Sequence, residues 1–115
     1  MNSLELLKAA RDKISEPDHW CKGDFAKDKF GFGAPCDSPV ACRFCALGSV
    51  QASNPGYGFE ILGVTKALEA AMQELGQPSS RVLSEFNDKF STTHEDVMDV
   101  FDKAIEMESQ NGHAR

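Results

Sequence analysis

Apolar positions recur with helical spacing in four stretches of the chain, and no stretch shows a run of period-two alternation that would mark a strand. Asn2 followed by Glu5 has the spacing of a capping box, and Leu4, Leu7, Ala10, Arg11 and Ile14 place a narrow stripe on a helix over residues 3–15. Pro17 ends it. Ser38-Pro39 reads as an N-cap followed by proline at the first helical position. The helix it opens carries Val40, Ala41, Phe44, Cys45, Leu47 and Gly48 as far as Ala52, apolar round most of its circumference, so a central place is expected. Asn54-Pro55-Gly56 stops it. A third helix is predicted over residues 59–75 from Ile61, Leu62, Leu68, Ala71, Met72 and Leu75, with Gly76 standing where a left-handed C-cap is wanted.

Gln77-Pro78-Ser79-Ser80 is a turn, and residues 81–87 form one or two helical turns with Val82, Leu83 and Phe86 inward. Thr92 with Glu95, or Thr93 with Asp96, then offers a capping box for the last amphipathic helix, marked by Val97, Met98, Phe101, Ala104, Ile105 and Glu108. Between the first two helices, residues 16–39 lose the helical period. Pro17, Gly23, Gly31, Gly33, Pro35 and Pro39 punctuate a stretch loaded with Trp20, Phe25, Phe30 and Phe32. So long a loop rarely lacks all structure, and a short helix over 24–28 or a brief strand over 29–32 is expected. The sum is an all-α fold, a small bundle of four main helices with one long aromatic loop, as a single domain over residues 1–110 with a frayed tail at 111–115.

The length of 115 residues suits one domain, and 41% hydrophobic with 26% charged residues is ordinary globular usage. Twelve basic against eighteen acidic side chains give a net charge of -6, which does not supply the positive footprint that phosphate-backbone binding needs, so no nucleic-acid partner is expected. Eight of the acidic residues lie in 79–115; that face reads as solvated, or as one that meets a basic partner. The N-terminus lacks a basic and apolar leader, and nowhere do eighteen apolar residues run together, so a cytoplasmic protein off the membrane, with reduced thiols, is expected. A homodimer through an apolar helix face is compatible with the pattern.

Several groups could carry chemistry. Cys21, Cys36, Cys42 and Cys45 contain one metal-like pair, Cys42-x2-Cys45, where a structural zinc site usually needs two. The same pair has the form of a thiol redox motif, but the expected helix puts Cys42 a turn beyond the N-terminus, and no βαβ pattern surrounds it. His19 and Cys21 bracket Trp20, and with His94 and Asn87 brought in by the fold they could assemble a cysteine nucleophile and its base. The plainer reading has the thiols as buried small hydrophobes and Trp20 as the anchor of the loop, its N–H on a backbone carbonyl. Asn87 and Asp88, before Thr92 and Thr93, could hold an amide or a cation, although loops and caps use these residue types anyway. The expected function is a non-catalytic module that binds a partner protein without a cofactor, through Trp20, Phe25, Phe30, Phe32, Asn87 and Asp88. A cysteine-dependent enzyme or thiol sensor, and a structural zinc protein, are the alternatives.

His19-Trp20-Cys21-Lys22-Gly23, Ala26-Lys27-Asp28, Cys45-Ala46-Leu47-Gly48, Phe86-Asn87-Asp88 and residues 93–97, in that order, resemble a family of small bacterial and phage proteins grouped as a domain of unknown function. The likeness spans about residues 5–105. The family commonly has Gln where this chain has Lys22, and Trp where it has Phe86. The resemblance implies a small single-domain protein and an arrangement of residues; it brings no activity, cofactor or partner.

Overall fold

The computed structural model describes residues 2–54, 58–77 and 81–113, with positions 58, 59 and 111–113 described in their backbone alone. The expected stop at Pro55-Gly56 and the Pro78-Ser79-Ser80 part of the turn lie outside these residues. The described chain is mostly helical, with five α-helices and one two-stranded sheet.

Helix α1 is Ser3–Lys13, opened by the expected capping box: Glu5 N–H donates to Asn2 Oδ1 at 2.8 Å and Asn2 N–H to Glu5 Oε1 at 3.3 Å. Its buried face is Leu6, Leu7, Ala10 and Ile14; Leu4, counted in the stripe from its spacing, is only half-buried. Helix α3 is Gly58–Glu74, and Val64, Leu68, Ala71 and Met72 turn inward while Leu62 and Leu75 face out. Gly76 ends it at φ +70°, with Gln77 N–H on Met72 O and Gly76 N–H on Gln73 O, both at 3.0 Å, a Schellman closure. Helix α4, Leu83–Asp88, buries Leu83 and Phe86 as expected but leaves Val82 exposed. Its first N–H is capped by a neighbouring helix, since Leu83 N–H donates to Glu69 Oε2 of α3 at 2.9 Å.

Helix α5, His94–His113, takes the second of the two capping boxes. Asp96 N–H donates to Thr93 Oγ1 at 3.1 Å and Thr93 N–H to Asp96 Oδ2 at 3.0 Å. Val97, Val100, Phe101 and Ala104 are its inner face. α1 packs on α2, Ala46–Ser53, and on α5, α5 packs on α3, and a single cluster of buried side chains draws on all five helices and both strands.

Two expectations fail between α1 and α3. Ser38-Pro39 does not open a helix: it forms a turn in which Ala41 N–H bonds Ser38 O at 3.1 Å and Val40 N–H bonds Ser38 Oγ at 3.3 Å. The chain then runs extended, and helix α2 is the shorter Ala46–Ser53, capped by Cys45. The cause is long-range pairing. Strand β1, Ala26–Lys27, lies antiparallel to β2, Arg43–Phe44, with Ala26 opposite Phe44 and Lys27 opposite Arg43. The second failure is in the loop itself. Residues 24–28 are not helical and 29–32 are not a strand: the strand lies at 26–27, and a short 3-10 turn, Pro17–His19, precedes it.

Candidate functional site: an asparagine-centred knot under a turn of exposed rings

Residues 28–34 fold back on the sheet as a closed turn. Asp28 N–H bonds Phe32 O at 2.8 Å, Gly31 N–H bonds Asp28 O at 3.0 Å, and Ala34 N–H bonds Ala26 O at 3.0 Å. Asp28 Oδ1 accepts from both Phe30 N–H, at 2.9 Å, and Phe32 N–H, at 3.0 Å, which is Asx-turn chemistry. Gly31 sits at φ +88°, where a Cβ would be strained. With its backbone tied down in this way, the turn has nowhere to put its rings but outward: Phe30 is 73% exposed, Phe32 70% and Phe25 52%.

Phe25 stands between two hollows. One, of about 480 Å³, is lined with Phe25 by Asp24, Ala26, Gly33, Ala34, Pro35, Cys36, Asp37 and Gln51; the other, of about 250 Å³, by Phe25, Gly23, Asp24, Cys45, Ser84 and Asp88. The backbone of Phe25 is fixed from beneath, because its carbonyl accepts from Cys45 N–H at 3.1 Å and lies against Gly48 of α2 so closely that a Cβ there would collide with it.

Beneath the rings lies Asn87, 0% exposed on a helix of six residues. Its Oδ1 accepts from Trp20 Nε1 at 2.7 Å and Ala46 N–H at 3.0 Å; its Nδ2 donates to Cys21 O and Asp88 Oδ1, both at 3.0 Å. Three of these four bonds join α4 to the loop or to the start of α2, and the fourth stays within α4. Asp88 Oδ1 also accepts from Gly23 N–H at 3.0 Å, and Lys22 Nζ donates to the carbonyls of Lys89 and Phe90 at 2.6 and 3.3 Å while lying 5.5 Å from the centre of the Trp20 ring. Trp20 is half-buried, and its N–H goes to the Asn87 side chain, not to the backbone carbonyl expected for it.

His19 is exposed on the 3-10 turn. His94 is half-buried, its ring 5.9 Å from that of Trp20, and its Nε2 donates to Ile14 O at 2.6 Å, since a carbonyl can only accept. Cys21 is buried with its thiol on Asp24 O at 3.6 Å, so the fold gathers Trp20, Cys21, Asn87 and His94 into one neighbourhood but gives sulfur and imidazole separate partners. Burial pushes the Cys21 thiol up to about 11, with Cys45 and the carboxylates of Asp24 and Asp88 adding to it. Burial also raises Cys45 to about 11, against the backbone N–H groups of Gly48 and Leu47 that favour its thiolate. Cys36, half-buried, points its thiol at Gln51 Oε1 at 3.7 Å and is raised by burial and by Asp37; Cys42 is exposed. All four are free thiols. Cys42 is not inside a helix, as expected, but in the extended approach to β2, and it is Cys45 that caps α2. Among the described residues no three His, Cys, Asp or Glu groups are placed to hold a metal ion, and no helix is long and apolar enough to cross a membrane.

Sequence reasoning missed Gly48, Lys22 and Asp28. Only Asp28 left a local signal, an acidic residue ahead of a glycine in a turn; the other two act through partners distant in the chain. No curated protein and no solved structure matches the chain significantly. Residues 1–107 match the profile described as "Family of unknown function (DUF6197)", and the chain belongs to that family.

Proposed function

We propose that the protein is a non-catalytic module that binds another protein through Phe25, Phe30 and Phe32, with Trp20, Asn87 and Asp88 holding the frame that presents them. The observation that carries this reading is the outward placement of Phe30 and Phe32 on a turn closed by backbone and Asp28 hydrogen bonds, with Phe25 exposed just before β1. Each ring still has about 1–2 kcal/mol of burial free energy to gain on contact. A turn fixed in advance loses little conformational entropy when it docks, so more of that gain becomes affinity. A cysteine enzyme fits less well: a nucleophile works as a thiolate beside a base, whereas the buried thiols here are raised and Cys21 donates to a carbonyl. A zinc site fits less well too, since Cys21, Cys36 and Cys45 each engage a group of their own and Cys42 faces solvent.

The test is a pull-down from the native organism with the parent protein and with Phe30→Ala/Phe32→Ala. A partner held by the parent and lost by a variant of unchanged thermal midpoint supports the reading. Identical partner sets for the two proteins would refute it.

A further inference from the structure

We infer that the segment taken up by the ring turn is acidic: the face beside the rings is built for a peptide that carries carboxylates next to bulky apolar residues. This deepens the binding reading above and rests on it.

Lys27 and Arg43 stand directly opposite each other in the β1–β2 pair. Directly opposed side chains share a face of the sheet, and Ala26 and Phe44, one residue along, fill the buried face, so the two cations sit side by side on the outer one. Like charges in that register destabilise a strand pair, and a two-residue sheet has little pairing energy to set against them. Among the described residues neither forms an ion pair; the pairs there are Arg11–Asp102 and Lys103–Glu106, both elsewhere. Lys29 adds a third cation, its ammonium 5.1 Å from the centre of the exposed Phe30 ring. The one carboxylate inside the turn, Asp28, is engaged by the N–H groups of Phe30 and Phe32.

In a chain of net charge -6, Lys27, Lys29 and Arg43, which form no ion pair among the described residues, put positive charge on the strand pair and the turn, while Asp24 and Asp37 line the hollow beside Phe25 and bound that charge on its other flank. The footprint is short. A compact acidic segment can match it within a Debye length of about 8–10 Å, while a long polyanion would also meet the acidic remainder of the molecule. The complementary ligand is therefore a peptide with two or three Asp or Glu residues interspersed with Leu or Phe.

The test is panning of a random dodecamer phage library on the immobilised protein, followed by fluorescence anisotropy with the enriched peptides. Expected is enrichment of sequences that combine acidic and large apolar residues, with affinity falling at least tenfold in Lys27→Glu/Arg43→Glu and falling with added salt. Lys27→Gln/Arg43→Gln, which cannot repel the sheet's own neighbours, should weaken binding in the same direction, and Lys27→Gln alone should raise the urea midpoint by relieving the like-charge pair. Enriched peptides without acidic bias that bind the charge variants and the parent equally would overturn this inference and leave the ring reading standing. Peptides that bind Phe30→Ala/Phe32→Ala as well as the parent would overturn the ring reading. A dT12 oligonucleotide bound more tightly than any peptide, a self-association abolished by the charge variants, or no enrichment at all would each overturn the acidic-peptide assignment.

Discussion

Replacing Asn87 by alanine should remove the one side chain that joins the ring loop, α2 and α4. The magnitude follows from what is left behind. The Ala46 N–H and the Cys21 carbonyl lose their partner in the interior, at about 1–3 kcal/mol each. The Trp20 N–H is half-buried, so water can satisfy it in part, at roughly 0.5–1 kcal/mol. The total is about 2.5–7 kcal/mol, a large share of the ~5–15 kcal/mol that holds a domain of this size. Urea unfolding read by the lone tryptophan and by far-ultraviolet circular dichroism measures it. At a slope near 1.5 kcal/mol per molar, the midpoint should fall by about 2 M or more. Trp20→Phe is the calibrating variant, read by dichroism: it leaves Asn87 Oδ1 bonded to Ala46 and should cost only about 1 kcal/mol. A loss below about 1 kcal/mol for Asn87→Ala, or equal losses for the two variants, would refute the view of Asn87 as the joint.

Gly48→Ala should destabilise by roughly 3 kcal/mol, because the added Cβ meets the Phe25 carbonyl, although alanine in a helix interior ordinarily gains about 1 kcal/mol over glycine; a urea midpoint at or above the parent's would contradict the close approach. Titration with a colourless disulfide reagent that releases a coloured thiolate should modify Cys42 first and Cys36 more slowly, with Cys21 and Cys45 reacting only in denaturant; a fast-reacting Cys21 would revive the enzyme reading. Stability should also fall at alkaline pH. Cys21 and Cys45 keep their protons in the folded state up to about 11, whereas in the unfolded chain they ionise near 9.0, so the unfolded state loses protons first and stability is lost as pH rises from about 9 towards 11. Cys21→Ala/Cys45→Ala should flatten that decline in a pH series of urea midpoints, and an unchanged slope would show that these thiols are not held protonated.

What the sequence disclosed was whatever depends on neighbours in the chain. The capping boxes at Asn2 and Thr93, the glycine closure at Gly76 and the apolar spacing of α3 and α5 are local devices, and each stands where its residues put it. The start of α2 was hidden for the opposite reason. Val40, Ala41, Phe44 and Cys45 satisfy a helical pattern, but Phe44 is held extended by Ala26, a partner that no local window contains. Two-residue strands are also too short to show alternation. At the site, the exposed rings were readable as a surplus of aromatics in a loop, and Phe25, Phe30 and Phe32 are indeed exposed. Asn87 was readable as a polar residue suited to a loop, a cap or a binding surface; that it is buried, and that it receives the Trp20 N–H, depends on a contact spanning 67 positions. Three of the five short stretches that carry the resemblance, Trp20 to Gly23, Cys45 to Gly48 and Phe86 to Asp88, contribute members of that contact network.

The distances along the chain at which Asn87 makes its bonds, 67 positions to Trp20, 66 to Cys21 and 41 to Ala46, set an order on biosynthesis. A nascent polypeptide that has not yet released α4 from the ribosome has already emerged with Phe25, Phe30 and Phe32, while the Trp20 N–H, the Cys21 carbonyl and the Ala46 N–H still lack their shared side-chain partner. The joint between the loop, α2 and α4 therefore closes only after most of translation is complete, and a product truncated before residue 87 would carry the exposed rings without it.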